Sequence, residues 1–286
     1  MKKIKYFFEF IIISFLFFIY KMLGLKISSF ISGKLFEIFG PLFRSKVIIE
    51  SNIQKAFTKI NSQEINNIKK DMWNNYGRTL SEYMFLNDFR NINIKSNINL
   101  EGGEILEQIK FEKTPVIFVS GHFSNFELMA MQIEKSGINL AAVYRPLNNI
   151  FLNVLMERIR KKYICKKQIR KGTGGVRELL KLYKKGYSIA LMIDQRVSEG
   201  IKNKFFNEDA FTTTLPAQFI KKFHCKVVPI YIERFEDIKF NIKIEKPIEF
   251  SKDSSTEKIT RDLNIWLEKK ILNNPGKWIW SHNRWK

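Results

Sequence analysis

The sequence predicts an α/β fold: a mostly parallel central sheet flanked by helices, preceded by an N-terminal hydrophobic helix of membrane-anchor type. Three observations predict it. From Asn97 onward, short runs rich in β-branched and aromatic residues alternate with helical patterns, the order that builds parallel sheets covered on both faces. The 286 residues are 45% hydrophobic and include 26 Phe, ample material for a sizeable core. Near the amino end, Tyr6–Tyr20 is an apolar run interrupted only by Glu9 and Ser14.

Lys2, Lys3 and Lys5 precede that run. A helix over it covers roughly 22 Å at about 1.5 Å per residue, short of the ~30 Å hydrocarbon core. A basic start and apolar centre also describe a secretory signal peptide. No A-x-A-like cleavage triplet follows, however, and the first alanine is Ala56. The favoured reading is an uncleaved anchor over residues 1–25, either a short span extended through Leu25 or a helix deep in the interface. Lysines at both ends leave its orientation open.

Residues 26–95 read as a helical lead-in to a catalytic domain over 26–286. From Leu25 to Phe43 the apolar positions Ile27, Phe30, Ile31, Leu35, Phe36, Ile38 and Phe39 have helical spacing. That stripe is expected to cover the core, with extended membrane contact as the rival. Pro41 after Gly40 ends the helix. Ser62–Lys95 reads as further helix, with Ile65, Ile68, Met72, Trp73, Tyr76, Leu80 and Met84 on one stripe. Strands are expected at Val116–Ser120, Leu140–Tyr144, Ser188–Ile193, Lys226–Ile232 and Phe240–Ile244. Helices are expected at Phe126–Lys135, Ile150–Lys161, Val176–Lys185, Leu215–Phe223 and Ile259–Ile271. There is no internal repeat and no Pro/Gly/Ser linker, so one domain follows the anchor.

The net charge of +21 points to nucleic acid, an anionic membrane surface or an acidic protein partner. Lys, Ile, Asn and Phe are all abundant and Ala is scarce, as in AT-rich genomes, which weakens the inference from charge alone. A membrane-tethered nucleic-acid binder would use that charge, but no RNA-recognition or helix-turn-helix signature accompanies it. Cys165 and Cys225 have no metal-type spacing and make no disulfide framework, in keeping with a reducing compartment. With three histidines, no HExxH and no CxxC, metal catalysis is not expected. The G-x-S-x-G elbow is missing, which argues against a common serine hydrolase. Gly172-Thr173-Gly174-Gly175 reads either as a turn with a helix start or as backbone N–H groups facing an anion.

His122 and Glu127 remain. The apolar run Val116–Val119 ends in Ser120 and Gly121, and His122 follows at once, at what would be the carboxyl edge of a parallel sheet. A neutral imidazole there can take a proton from a hydroxyl nucleophile if a carboxylate fixes its tautomer. Glu127, about one helical turn into the next helix, is the expected carboxylate; a plain surface contact is the alternative. Arg145 follows the strand Leu140–Tyr144, and Asp194 with Gln195 follows the strand ending at Ile193. All would arrive at the same sheet edge.

The stretch Gly121-His122-Phe123-Ser124-Asn125-Phe126-Glu127 resembles the GHFxNxE form of the H-x4-[DE] motif of lysophospholipid-acyltransferase-like enzymes, in the variant of bacterial lipid A biosynthesis acyltransferases. Val143-Tyr144-Arg145-Pro146, Asp194-Gln195, Phe205-Phe206 and the end carrying Trp278, Trp280, His282, Arg284 and Trp285 resemble further family blocks in the right order. Asn207 departs from the usual Gly after the two Phe; it also tolerates positive φ, so a similar turn is expected.

The resemblance implies acyl transfer from acyl carrier protein to a hydroxyl of a lipid A precursor, with no cofactor and no metal. It gives His122 as general base, Glu127 as its orienting group and Asp194 as a second carboxylate. Backbone N–H groups at the start of the Phe126 helix are candidate oxyanion donors. Arg145 is expected on a glycolipid phosphate, and Asn125 and Gln195 among the substrate-binding residues. Phe205 and Phe206 would line an acyl channel or join the core. The Trp residues would form an interfacial belt or simple packing, while His224 and Cys165 are structural. The implied partners are acyl carrier protein, the glycolipid acceptor and the membrane, with no nucleic acid. The implied location is the bacterial inner membrane, catalytic domain toward the cytoplasm. The rival within the superfamily is an enzyme acting on another glycolipid or a lysophospholipid; Glu rather than Asp at 127 argues against the glycerophosphate branch.

Overall fold

The amino-terminal layer is helical and turned inside out. The computed structural model describes residues 2–91 and 97–286. Helix α1 (Lys2–Leu23) stops at Gly24, where φ is +78°. At 22 residues it extends beyond the apolar run at both ends, and about 1.5 Å per residue makes it roughly 33 Å long, enough to cross a bilayer. Only Phe17 and Tyr20 are buried along it, whereas Ile12, Phe15 and Phe18 are each more than 60% exposed.

Helix α2 (Leu25–Phe39) corrects an expectation. Its buried face is Ser28, Ser29, Ser32 and Gly33, while Ile27, Phe30, Ile38 and Phe39 point outward. The apolar stripe is real but does not cover the core. Close helix packing explains the inversion: a Cβ on Gly77 would lie 2.2 Å from the Ser32 carbonyl oxygen, so only small residues fit where α2 meets α4 (Ser62–Glu82). Tyr20 donates to Ser32 Oγ at 2.9 Å and Ser32 Oγ donates to the Gly77 carbonyl at 2.6 Å, tying α1, α2 and α4 together. A 3₁₀ turn at Gly40–Phe43 carrying Pro41, and α3 (Lys46–Ala56), lie between α2 and α4. Helix α4 opens with an Asn61/Glu64 capping box. It gives way to a 3₁₀ turn at Tyr83–Phe85 and α5 (Leu86–Asn91); residues 92–95 of the expected helical stretch lie outside the described residues.

The remainder runs β1 (Ile98–Glu101), α6 (Gly103–Glu112), β2 (Ile117–Ser120), α7 (Glu127–Lys135), β3 (Leu140–Tyr144), α8 (Ile150–Tyr163), β4 (Lys167–Arg170), α9 (Thr173–Lys184), β5 (Ser188–Met192), β6 (Ile201–Phe205), β7 (Glu208–Thr212), α10 (Leu215–Phe223), β8 (Val227–Glu236), β9 (Lys239–Ile244) and α11 (Thr256–Asn273). It contains every expected strand and helix and adds β1, α6, β4, β6 and β7. Seven strands form one sheet in the order β1-β9-β8-β2-β5-β3-β4, and every neighbouring pair is parallel except β8–β9. Strand β2 is buried along its whole length, as a central parallel strand must be.

Strands β6 and β7 form a separate hairpin joined by Phe206 and Asn207, both at positive φ. This is the two-residue turn whose twist matches the strands, and Asn207 takes the conformation expected of it. Beyond α11 the chain returns beneath this hairpin. Trp278, Trp280 and Arg284 are fully buried there, and Arg284 donates to the Phe211 carbonyl and Thr212 Oγ1, each at 2.6 Å.

Candidate active site

Four parallel strands deliver four charged or titratable residues to one edge. In sheet order β2, β5, β3 and β4 end at Ser120, Met192, Tyr144 and Arg170. Just beyond those ends stand His122, Asp194, Arg145 and Lys171. The Lys171 N–H donates to the Tyr144 carbonyl at 2.9 Å, which sets Lys171 beside Arg145. All but Asp194 line a cavity of about 1370 Å³ that runs from the sheet edge to Ile13 and Phe17 of α1.

His122 and Asp194 are locked together. His122 Nδ1 lies 2.8 Å from Asp194 Oδ1, and the His122 backbone N–H donates to Oδ2, also at 2.8 Å. Trp278 Nε1 donates to Oδ2 at 2.8 Å. Burial raises the Asp194 carboxyl, but the His122 charge and the hydrogen bonds from His122 and Trp278 outweigh it and hold the group at about 2. An ionised Asp194 makes Nδ1 the protonated nitrogen, which leaves Nε2 free to accept. The Phe126 ring meets the imidazole edge-on, with centroids 4.8 Å apart.

Glu127 does something other than expected. It makes no hydrogen bond with His122. It accepts from Arg160 Nε at 2.9 Å and from Arg160 Nη2 at 2.7 Å, and it takes a further hydrogen bond from the Tyr83 hydroxyl. The five-residue spacing turns it along α7 toward α8, so Asp194 is the carboxylate that orients His122. The Arg160 guanidinium carbon lies 5.8 Å from the centre of the Tyr83 ring and 5.7 Å from that of Tyr144. Burial lowers its pKa, but Tyr83 and Glu127 outweigh that and raise it, so the charge is permanent.

Asn125 also departs from expectation. It is 1% exposed, lies outside the cavity lining, and donates to Glu82 Oε2 at 2.9 Å. Glu82, fully buried, also accepts from Ser29 Oγ at 2.8 Å and from both terminal nitrogens of Arg234, at 2.6 and 3.0 Å. The Arg234 backbone N–H in turn donates to Ser124 Oγ at 3.0 Å. Residues Ser124 and Asn125 therefore shape the turn after His122, with Ser124 at φ +43°.

Gln195 and Arg145 line the cavity. Among the described residues Arg145 has no ion-pair partner, which removes the surface salt bridge as its role. Phe205 and Phe206 do not line it: both are buried, packed on each other and on Trp285. Trp278 and Trp280 are packed in the core rather than displayed as a belt. The Gly172–Gly175 stretch is a turn and helix start; a Cβ on Gly175 would lie 1.9 Å from the Arg170 carbonyl oxygen. His224 is exposed at the end of α10, and buried Cys165 donates to the Leu140 carbonyl.

Sequence reasoning missed Tyr83, Arg160, Lys171 and the role of Trp278. Lys171 was within reach: recognising β4 as a strand beside β3 would have set it next to Arg145. Nothing in the sequence singles out Tyr83 or Arg160 among similar helical residues.

The family comparison decides what this architecture is related to. The model for the bacterial lipid A biosynthesis acyltransferase matches residues 1–286. The chain belongs to this family. Among curated proteins it is similar to the lipid A biosynthesis myristoyltransferase of Escherichia coli (strain K12), 23% identical over 193 residues, 65% of this chain and 58% of that protein. It is also similar to lipid A biosynthesis acyltransferase 2 of Shigella flexneri, 25% identical over 187 residues, 63% of this chain and 58% of that one. The chain thus spans 58% of the length of the curated relatives it matches.

Proposed function

We propose that this protein transfers a fatty acyl chain from acyl carrier protein to a hydroxyl of a lipid A precursor, a secondary acylation that needs no metal or cofactor. The observation that carries the reading is the His122–Asp194 pair at the floor of a cavity whose far wall is the apolar helix α1. Such a cavity suits an acceptor presented from a bilayer.

His122 Nε2 takes the proton from the acceptor hydroxyl as its oxygen attacks the thioester carbonyl carbon. The carbonyl electron pair moves to oxygen. Collapse of the tetrahedral intermediate then breaks the C–S bond, and the departing thiolate takes the proton back from His122. Asp194 stabilises the imidazolium formed in between. The Phe126 and Glu127 backbone N–H groups, for which no described residue is an acceptor, are available as oxyanion donors where α7 begins at the cavity wall. Glu127 fixes Arg160 and Tyr83 in that wall, and Gln195 lines it near Asp194.

Arg145 and Lys171 stand side by side at the cavity, with Glu199 near Lys171 but in no ion pair with either, which suits a phosphate of the acceptor. Helix α1 and the outward apolar face of α2 would sit in the inner membrane, with the catalytic layer toward the cytoplasm, where the acidic carrier is found. The basic surface suits both partners, and carrier docking would weaken with salt.

His122→Ala tests the reading directly: the full chain should lose acyl transfer to a lipid A precursor while keeping its far-UV circular dichroism and membrane association. Substantial transfer by that variant would sink the proposal.

A further inference from the structure

His282 belongs to the cavity wall, yet the mechanism above gives it no role. Its carbonyl accepts from Asn52 Nδ2 at 2.9 Å, which fixes the backbone, and the residue lines the same cavity as His122. The Arg196 backbone N–H, two residues beyond Asp194, donates to His282 Nε2 at 3.1 Å. A nitrogen that accepts from an amide carries no proton, so in the neutral ring the proton sits on Nδ1. No described residue accepts from that Nδ1–H. Burial depresses the pKa; Asp194 opposes this, while His122, Arg284 and Lys171 add to it, leaving the ring at about 4 and neutral near pH 7.

We infer that His282 is a second catalytic histidine, a neutral imidazole whose Nδ1–H donates a hydrogen bond to the oxyanion formed on the thioester carbonyl. This rests on the acyltransferase reading above. The two histidines divide the work by which nitrogen is engaged. Asp194 takes the His122 Nδ1–H and leaves Nε2 as a base. The Arg196 amide takes the His282 Nε2 lone pair and leaves Nδ1–H as a donor. No proton leaves His282 at any step; the hydroxyl proton travels to His122 and on to the thiolate. A neutral ring suits the task, because its donor needs no counterion and does not compete with His122 for the proton.

The test compares His282→Ala, His282→Asn and His122→Ala in the full chain, with an acyl-carrier-protein thioester and a lipid A precursor. Losing one preorganised oxyanion donor lowers kcat by about 10²-fold, so His282→Ala should show that loss with KM unchanged and the pH–rate profile unmoved. Asparagine, whose side-chain amide can stand near the Nδ1 position, should restore part of the rate. Wild-type kcat in His282→Ala, while His122→Ala is inactive, overturns this inference and leaves the acyltransferase reading intact. A shifted pH–rate profile, or a rise in KM alone, overturns it as well. Should the alanine variant fail to fold, the asparagine variant decides: a rate well above that of His122→Ala supports the donor role, and a rate equal to it overturns the role. Full activity in His122→Ala removes the underlying reading and this inference together.

Discussion

Two carboxylates within one short reach of the cavity have opposite employments. Asp194 faces an imidazole that can gain and lose a proton, and its second oxygen is occupied by the His122 amide and the Trp278 indole. Glu127 faces a guanidinium whose charge is permanent, with a tyrosine hydroxyl as its other partner. The first pairing suits proton transfer. The second is a buried ion pair that fixes the cavity wall. Distance along the chain predicted the reverse, because Glu127 is five residues from His122 and Asp194 is 72.

That contrast is testable where the effects are largest. Asp194→Asn should leave His122 without an anionic partner and lower kcat by about 10⁴-fold, as when the carboxylate of a Ser-His-Asp triad is amidated, while the variant still melts cooperatively. Steady-state kinetics beside calorimetry checks both halves, and an active Asp194→Asn would break the distinction. Arg160→Met should show the other pattern. It strands Glu127 as an unpaired buried charge, which costs about 3–5 kcal/mol of stability, and rate falls along with fold. Pairing it with Glu127→Leu should recover much of the loss in urea titrations. If Arg160→Met melts like the parent, the second pair is not structural.

A smaller effect separates the groups by pH. A base whose folded pKa is depressed loses stability as pH falls below its unfolded value, because the unfolded chain takes up the proton first. For His282 that window runs from 6.5 down to about 4. Asp194, an acid with a depressed pKa, contributes stability that is present above 3.8 and lost as pH falls through about 2. Urea midpoints of His282→Asn should therefore fall less steeply than the parent's between pH 6.5 and 4, and follow the parent's slope below that. A parent-like slope across the upper window would assign the loss elsewhere.

The parallel sheet was legible because its central strands are long apolar runs: Leu140–Tyr144 matches its expectation residue for residue, and β2 differs by one residue. Edge strands were not. In Lys167–Arg170 only Ile169 is buried, so no alternation emerges from four residues. The hairpin strands Ile201–Phe205 and Glu208–Thr212 carry charge on the exposed face, so no apolar run marks them. The hidden pairings at the site have the same origin. Asp194 reached the correct edge in the sequence reading, but which nitrogen it would meet depends on parallel register between β2 and β5. In α2 the period was legible and the direction was not: helical spacing identifies an apolar stripe without saying whether protein or lipid covers it.

The Glu82 cluster bears on how this protein can be handled. Four donors from three distant places in the chain, Ser29, Asn125 and the two ends of the Arg234 guanidinium, converge on a single buried carboxylate. Asn125 is three residues past His122. Trimming the greasy front end beyond α1 to gain solubility would remove Ser29, loosening the pin that holds the turn after His122. Detergent or nanodisc preparation of the whole polypeptide is the safer course, because the outward apolar layer and the turn after His122 share one fastening.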